Sequence, residues 1–357
     1  MGLVGIGVTA SGDTDGGLRA WRRWWAPFGL RRWPVLRWLI RHIAGGLLSL
    51  LAASILIFIA ASVLPGDPGA ILLGHGATLQ AIHATDARLG LNHSLVFRYF
   101  SWLGGLLHGD LGKSGVAVAQ GASGTAAEVW PLIQGRLGNT ATLALVTVVL
   151  LIPLSLGLGV IAAVRAGRLT DHVISAATVA MVSLPEFVVG TILIVIFFVV
   201  LHLLPPVSLV APGQTALAHP NILVLPVATL LAVSLGWTVR FVRFGTIETL
   251  DSDYVRFAEL NGIARWRVLR RYALRNALVP SIQMFAIVIQ YLFGGVIVTE
   301  VVFGFPGLGQ GLVNATLAHD TPEVQAIAMI FAAIYVTILI FADFLVVILI
   351  PRLRTQM

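Results

Sequence analysis

Residues 253–280, DYVRFAELNGIARWRVLRRYALRNALVP, are the one long polar stretch set between apolar ones, and their reading decides how the chain is laid out. They carry Arg256, Arg265, Arg267, Arg270, Arg271 and Arg275, with Asp253 and Glu259 as the main acidic counterweights. An Arg at the bilayer centre costs about 2.5–3.5 kcal/mol on insertion scales, so this stretch stays outside the hydrocarbon, on its basic side. Its spacing nevertheless predicts helix. Gly262, with Ile263 and Ala264, splits it into two short helices, the glycine giving the backbone freedom for a turn. On the second helix Trp266, Leu269, Ala273 and Ala277 share one face, while Arg267, Arg271 and Arg275 line another. A short helix with one apolar and one basic face suits docking into a groove of a soluble partner. It suits lying on anionic lipid equally well.

Composition excludes a soluble domain. The chain has 357 residues, 57% hydrophobic and 11% charged, with a mean hydropathy of +0.92, more apolar surface than a globular core can hide. The net charge of +7 would suggest nucleic acid in a soluble protein. Here the arginines flank apolar runs, so membrane topology accounts for them and no nucleic-acid partner is expected. The absence of cysteine excludes disulfides, thiol catalysis and thiolate metal sites.

Six apolar stretches reach the ~20 residues a crossing helix needs: 39–63, 139–164, 173–201, 222–244, 281–303 and 324–350. Positive residues then set the orientation. The segment Arg19 to Arg41, the turn with Arg165 and Arg168, the 253–280 stretch and the tail with Arg352 and Arg354 fall on one side. The opposite loops hold only Arg88, Arg98, Lys113 and Arg136. The expected fold is therefore all-α and polytopic, with both termini cytoplasmic. Residues 1–38 form an N-terminal extension, Gly/Thr/Asp-rich and then Arg/Trp-rich, the latter an interfacial anchor before the first span. Residues 39–354 form the membrane domain, with an external segment at 65–138 and the basic loop at 245–279. Pro153 and Pro185 interrupt spans two and three.

The external segment is too long for a plain connector. Leu89-Gly90-Leu91-Asn92 reads as a turn before a helix, and Leu95, Phe97, Tyr99, Phe100, Trp102 and Leu106 supply apolar faces at helical spacing. A helical lid over the outer mouth is expected, with Arg88, Arg98 and Lys113 available to a partner. Gly112-Lys113-Ser114 imitates a nucleotide-binding loop, but the glycine required five residues earlier is Leu107. Gly304 to Gly311 is no dinucleotide fingerprint, since no strand precedes it; its glycines are expected to let a short external loop fold tightly back into the translocation path. Glu186, Glu300 and Asp343 lie in or near spans, where acids are candidate proton, ion or substrate sites. The bland expectation puts Glu300 in water at a helix end and pairs Asp343 with a polar group on a neighbouring helix. His75, His83, His93 and His108 lack metal-ligand spacing, and no metal site is expected.

Together these segments resemble the dipeptide/oligopeptide branch of ABC-importer permeases. Gly262 matches the central glycine of that family's coupling loop, Ala258 its second alanine and Leu274 the leucine near its end. Arg256, Phe257 and Arg275 depart from the general motif but fit the peptide branch, which also shares Tyr254-Val255-Arg256 and Arg275-Asn276-Ala277-Leu278. Leu64-Pro65-Gly66-Asp67-Pro68, Gly109-Asp110-Leu111-Gly112, Ser183-Leu184-Pro185 and Gly304-Phe305-Pro306-Gly307-Leu308-Gly309 extend the resemblance over 38–354; Ile350, where the family usually has Asp, departs from it. The resemblance implies a bacterial cytoplasmic-membrane permease that does no chemistry itself. It implies a second homologous permease, two ATPase subunits holding ATP and Mg, and an extracytoplasmic substrate-binding protein. Tyr254, Ala258, Glu259, Gly262, Trp266, Arg267, Arg271 and Arg275 would then couple to the ATPases. Arg88, Arg98, Lys113, Phe305 and Pro306 would serve binding-protein docking or the gate. Di- or oligopeptides are the implied cargo, with nickel or another small solute as the alternative within the family. A secondary transporter using Glu186 or Asp343 is the alternative outside it, but no inverted repeat is visible.

Overall fold

The structure, a computed structural model, describes residues 32–62, 72–73, 78–210 and 214–349, including their side chains except at 32–38, 275–276, 278–280, 282–283 and 345–349. The 64–68 stretch, the anchor up to Trp38, the Arg275 side chain and the tail from Ile350 lie outside these. Every regular element among the described residues is helical. In chain order they are α1 (Arg32–Ser62), α2 (Leu79–Arg88), α3 (Leu95–Leu107), α4 (Gly115–Ala119), α5 (Val129–Val164), α6 (Leu169–Ser183) and α7 (Glu186–Ile194). There follow α8 (Pro220–Leu250), α9 (Asp253–Leu260), α10 (Arg265–Val268), α11 (Leu274–Phe303), α12 (Leu308–Leu317) and α13 (Thr321–Leu349).

Five stretches are long and apolar enough to cross a membrane singly: Leu39–Ser62, Val129–Val164, Pro220–Leu250, Met284–Phe303 and Thr321–Phe344. The third expected span is instead α6 and α7 meeting at 107°. Pro185 explains the break: it lacks an amide hydrogen and drives Leu184 out of the helical region, to φ −100 and ψ 134. The bent pair still traverses the bundle. At its start Asp171 binds Arg243, in the last two turns of α8. Beyond its end Ser208 donates its N–H to Phe303 at the tip of α11 (2.8 Å) and its hydroxyl to Ile222 near the start of α8 (2.6 Å). Counted as one crossing, it brings the total to six.

α8 is the hub, packed on α5, α11 and α6, while α1 leans on α13. Leu143, Leu151, Leu230, Leu292, Val296 and Phe305 form the main core between these helices. The Asp171 carboxylate, nearly buried, receives both Arg243 Nε (2.6 Å) and Nη2 (2.8 Å) and the Gly167 amide (2.9 Å), tying the α5–α6 turn to α8. Asp343 lies 3.8 Å from His42 on α1, the neighbouring-helix pairing the sequence suggested. α5 starts at Val129, so residues 129–138, expected to be external, are continuous with the second span.

Among its described residues before Val129, the external segment holds α2, α3 and α4, each capped by the hydroxyl before it: Thr78, Ser94 and Ser114. Buried Asp320, just before α13, pins this lobe. It accepts the Ser114 hydroxyl and the amides of Gly115 (2.9 Å) and Val116 (3.2 Å). Replacing Asp320 with Ala orphans these donors, each worth about 1–3 kcal/mol when buried and unsatisfied. Limited proteolysis of the purified protein is expected to cut within 113–128 at least tenfold faster in Asp320→Ala, with the 253–273 region unchanged. Equal cutting in the two proteins would remove Asp320 as the pin.

Candidate functional site

The basic stretch forms a helix pair at the end of the bundle away from the α2–α4 lobe. α9 stops at Asn261, Gly262 takes φ +75, and the chain restarts at Arg265. Only glycine enters that left-handed region without steric cost, so the turn the sequence placed here is the one observed. The second helix is not a separate element. It passes from α10 through a π-helical turn, Leu269–Ala273, directly into α11. That wider turn shifts the helical register and corrects the expected faces. Val268, Ala273 and Ala277 are buried, whereas Trp266, expected beside Ala273, is exposed with the Arg270 guanidinium 5.7 Å over its ring. Val255 and Ala258 of α9 pack against Val268 and Ala273, with Leu250, Ile263 and Leu269 around them. Ala258 therefore holds the two helices together and has no surface for a partner.

What this pair exposes is apolar at the tip and charged at the rim. Phe257 (69% exposed), Leu260 (83%) and Trp266 (67%) project outward. Tyr254, Glu259, Arg267 and Arg271 are exposed around them, and Glu259 sits 3.6 Å from Arg265. Phe257 and Leu260 were missed by the reading of the sequence, which weighed the arginines. The signal was present, because they occupy the face of α9 opposite Val255 and Ala258. Large apolar side chains ringed by charge are the pattern of a protein interface with a few anchoring contacts.

At the opposite end Arg88, Arg98 and Lys113, drawn from α2, α3 and the loop before α4, line one pocket of about 350 Å³. Its walls include Phe58, Phe97, Trp102 and Pro322, and Asp110 is its acidic member. Asp110 is engaged in accepting the Gly112 amide (2.9 Å). Partial burial lowers the Arg98 guanidinium from its ordinary value, without discharging so strong a base. The other two residues expected at this end do not join the pocket. Phe305 is fully buried in the main core, and the Pro306 carbonyl is held by Asn139 Nδ2 at 3.0 Å.

Glu300 is likewise not in water. It is fully buried, accepting Thr140 Oγ1 (2.6 Å) and the amides of Gly309 (2.7 Å) and Gln310 (3.1 Å). α12 begins after Gly307, which has no side chain with which to cap it, so a carboxyl from α11 does so. The glycine loop folds onto the bundle, where the amides of Gly309 and Gln310 meet Glu300.

Residues 155–355 match the family described as binding-protein-dependent transport system inner membrane component, and residues 35–144 match that family's N-terminal component. The chain belongs to this family. A putative peptide transport system permease protein of Brucella abortus (strain 2308) is 32% identical over 316 residues, covering 88% of this chain and 98% of that protein. A probable peptide ABC transporter permease of Sinorhizobium fredii is 31% identical over 320 residues, covering 89% and 99%. The glutathione transport system permease of Escherichia coli (strain K12) is 31% identical over 320 residues, covering 90% and 99%. The protein is thus a multi-pass inner-membrane permease of an ABC importer, a transport component working with ATPase and substrate-binding partners. The permease carries two surfaces suited to such partners, one at each end of its bundle.

Proposed function

We propose that this permease moves peptides inward, pairing with a second homologous permease, with two ATPase subunits below and one binding protein above. The observation that carries the reading is the helix pair at 253–273, a rigid two-helix unit continuous with α11 and exposing Phe257, Leu260 and Trp266. ATP and Mg reside in the ATPases, whose closure pushes on this unit. Because α10 runs unbroken into α11, a displacement of the pair becomes a displacement of the fifth span. The ATPases must favour one permease state over the other for this to do work. Tyr254, Glu259, Arg267 and Arg271 form the rim of that contact, with Arg275 a further candidate from the sequence alone. Arg88, Arg98 and Lys113 receive acidic side chains of the binding protein. Peptide cargo is supported by the relatives, which are named as peptide and glutathione permeases.

The arginine distribution supports a cytoplasmic position for the helix pair. Reporter fusions after Arg168 and Arg265 are expected to report cytoplasm, and those after Gly121 and Gln214 the exterior. An exterior signal at Arg265 would remove the coupling role, and a cytoplasmic one at Gln214 would make the bent α6–α7 pair re-entrant. The transport reading is tested in proteoliposomes holding the complete transporter. ATP-dependent accumulation of labelled di- and tripeptides is expected; accumulation of nickel with no peptide uptake would overturn the cargo.

A further inference from the structure

Glu186 opens α7 immediately after the bend. Its carboxylate meets α11 at Gly295, within the Met284–Phe303 stretch and eight residues short of its end, which is well inside a hydrocarbon layer about 30 Å thick. Its oxygens rest against the bare Cα of Gly295 on α11, where any Cβ would overlap them. Tyr291, one turn earlier on α11, lies within electrostatic reach. Among the described residues Glu186 has no ion pair and no hydrogen-bond donor. An acid in that state is too costly to face lipid, and such residues face a water-filled path or a bundle interior. The surface beside it fits a path. α11 exposes Tyr291, Gly294 and Val298 in one stripe, and α7 exposes Phe187 and Thr191 next to it.

We propose that Glu186 lines the translocation pathway and binds the α-ammonium group of the peptide in transit. This rests on the peptide reading above. One carboxylate with a nearby phenol suits a monocation bearing three N–H donors, through charge-assisted hydrogen bonds. A divalent metal ion wants several oxygen or nitrogen ligands, and no cluster of three such residues occurs among the described residues. The α-ammonium is also the cationic feature common to nearly all linear peptides, so one acid serves cargo of varied side chains. Gly295 leaves the carboxylate its place against α11. A shift of α11, driven from the helix pair it continues, changes that contact and with it the hold on the cargo.

The test uses the complete transporter in nanodiscs, trapped with ATP and vanadate, and the photoreactive dipeptide alanyl-photoleucine. Uptake of this probe by wild-type proteoliposomes decides the peptide reading separately. Wild type should be labelled on α7 and α11. Glu186→Gln should cut that yield at least tenfold and Glu186→Asp should restore part of it, with the complete transporter assembling as wild type does throughout. N-acetylation of the probe should reproduce the loss in wild type and change nothing further in Glu186→Gln. Undiminished label in Glu186→Gln overturns the inference. So does label elsewhere, or a parallel loss of assembly that marks a structural role. Wild-type vesicles that take up no probe overturn the peptide reading and this inference with it.

Discussion

Replacing Gly262 with Pro is expected to cut ATP-driven uptake at least tenfold while leaving the permease inserted and correctly oriented. The native residue sits at φ +75, and its amide donates to the Glu259 carbonyl at 3.0 Å. Proline forbids both, fixing φ near −65° and removing the donor. The chain must then leave α9 in another direction, which parts Val255 and Ala258 from Val268 and Ala273. The tip residues Phe257, Leu260 and Trp266 would no longer present one surface. α8 and α11 are separately packed on each other in the bundle, so insertion does not depend on this turn. Gly262→Ala, costing about 1–2 kcal/mol for the left-handed backbone, should fall between wild type and proline. Single rim changes such as Arg271→Gln should lose little, because exposed ion pairs are worth about 0–1 kcal/mol. The decisive measurement is hydrolysis by the assembled transporter with and without loaded binding protein. The proline variant should keep the basal rate and lose the stimulation; retained stimulation together with normal uptake would show that Gly262 is no hinge.

The sequence carried the six crossings, the helix pair and the turn at Gly262, because each rests on a local rule: apolar length, charge exclusion from hydrocarbon, or glycine at a reversal. It also carried the turn and helix start around Gly90 and Ser94. What escaped were features set by partners distant in the chain. Glu300 looked like a helix-end acid in water because Thr140, Gly309 and Gln310 converge on it only in the fold. Asp320 drew no notice, since its partners lie some two hundred residues earlier, at 114–116. Phe305 was assigned to docking or the gate through the family resemblance, with no packing signal of its own. The loop instead turns it into the main core. Trp266 was placed on one face with Leu269, Ala273 and Ala277 by regular helical periodicity, which the π turn at Leu269–Ala273 breaks. The three outer cations were legible as candidates, but their convergence from α2, α3 and the loop before α4 was not.

The cap on α12 offers a sharper test of the packing, because Gly307→Ala should be severe for a reason unrelated to its backbone. Gly307 has φ −105 and ψ −176, a conformation alanine adopts freely. The obstacle is space, since an added Cβ would overlap the Glu300 carboxyl group. That group cannot step aside without dropping its hydrogen bonds from Thr140, Gly309 and Gln310. Overpacking costs about 1–3 kcal/mol, and each amide left unsatisfied adds about 1–3 kcal/mol. A loss of about 3 kcal/mol or more is therefore expected for unfolding of the purified permease in mixed micelles. Glu300→Ala should itself cost a similar amount, by uncapping α12. The double variant separates the two causes. With the carboxyl group gone, the Cβ at position 307 has room, so Gly307→Ala/Glu300→Ala should be no less stable than Glu300→Ala alone. The two single losses would then overlap almost wholly, a coupling well above the 0.3–0.5 kcal/mol scatter about additivity seen for independent sites. Additive losses would mean that Gly307 is constrained by something other than Glu300, and the capping account of this loop would fail.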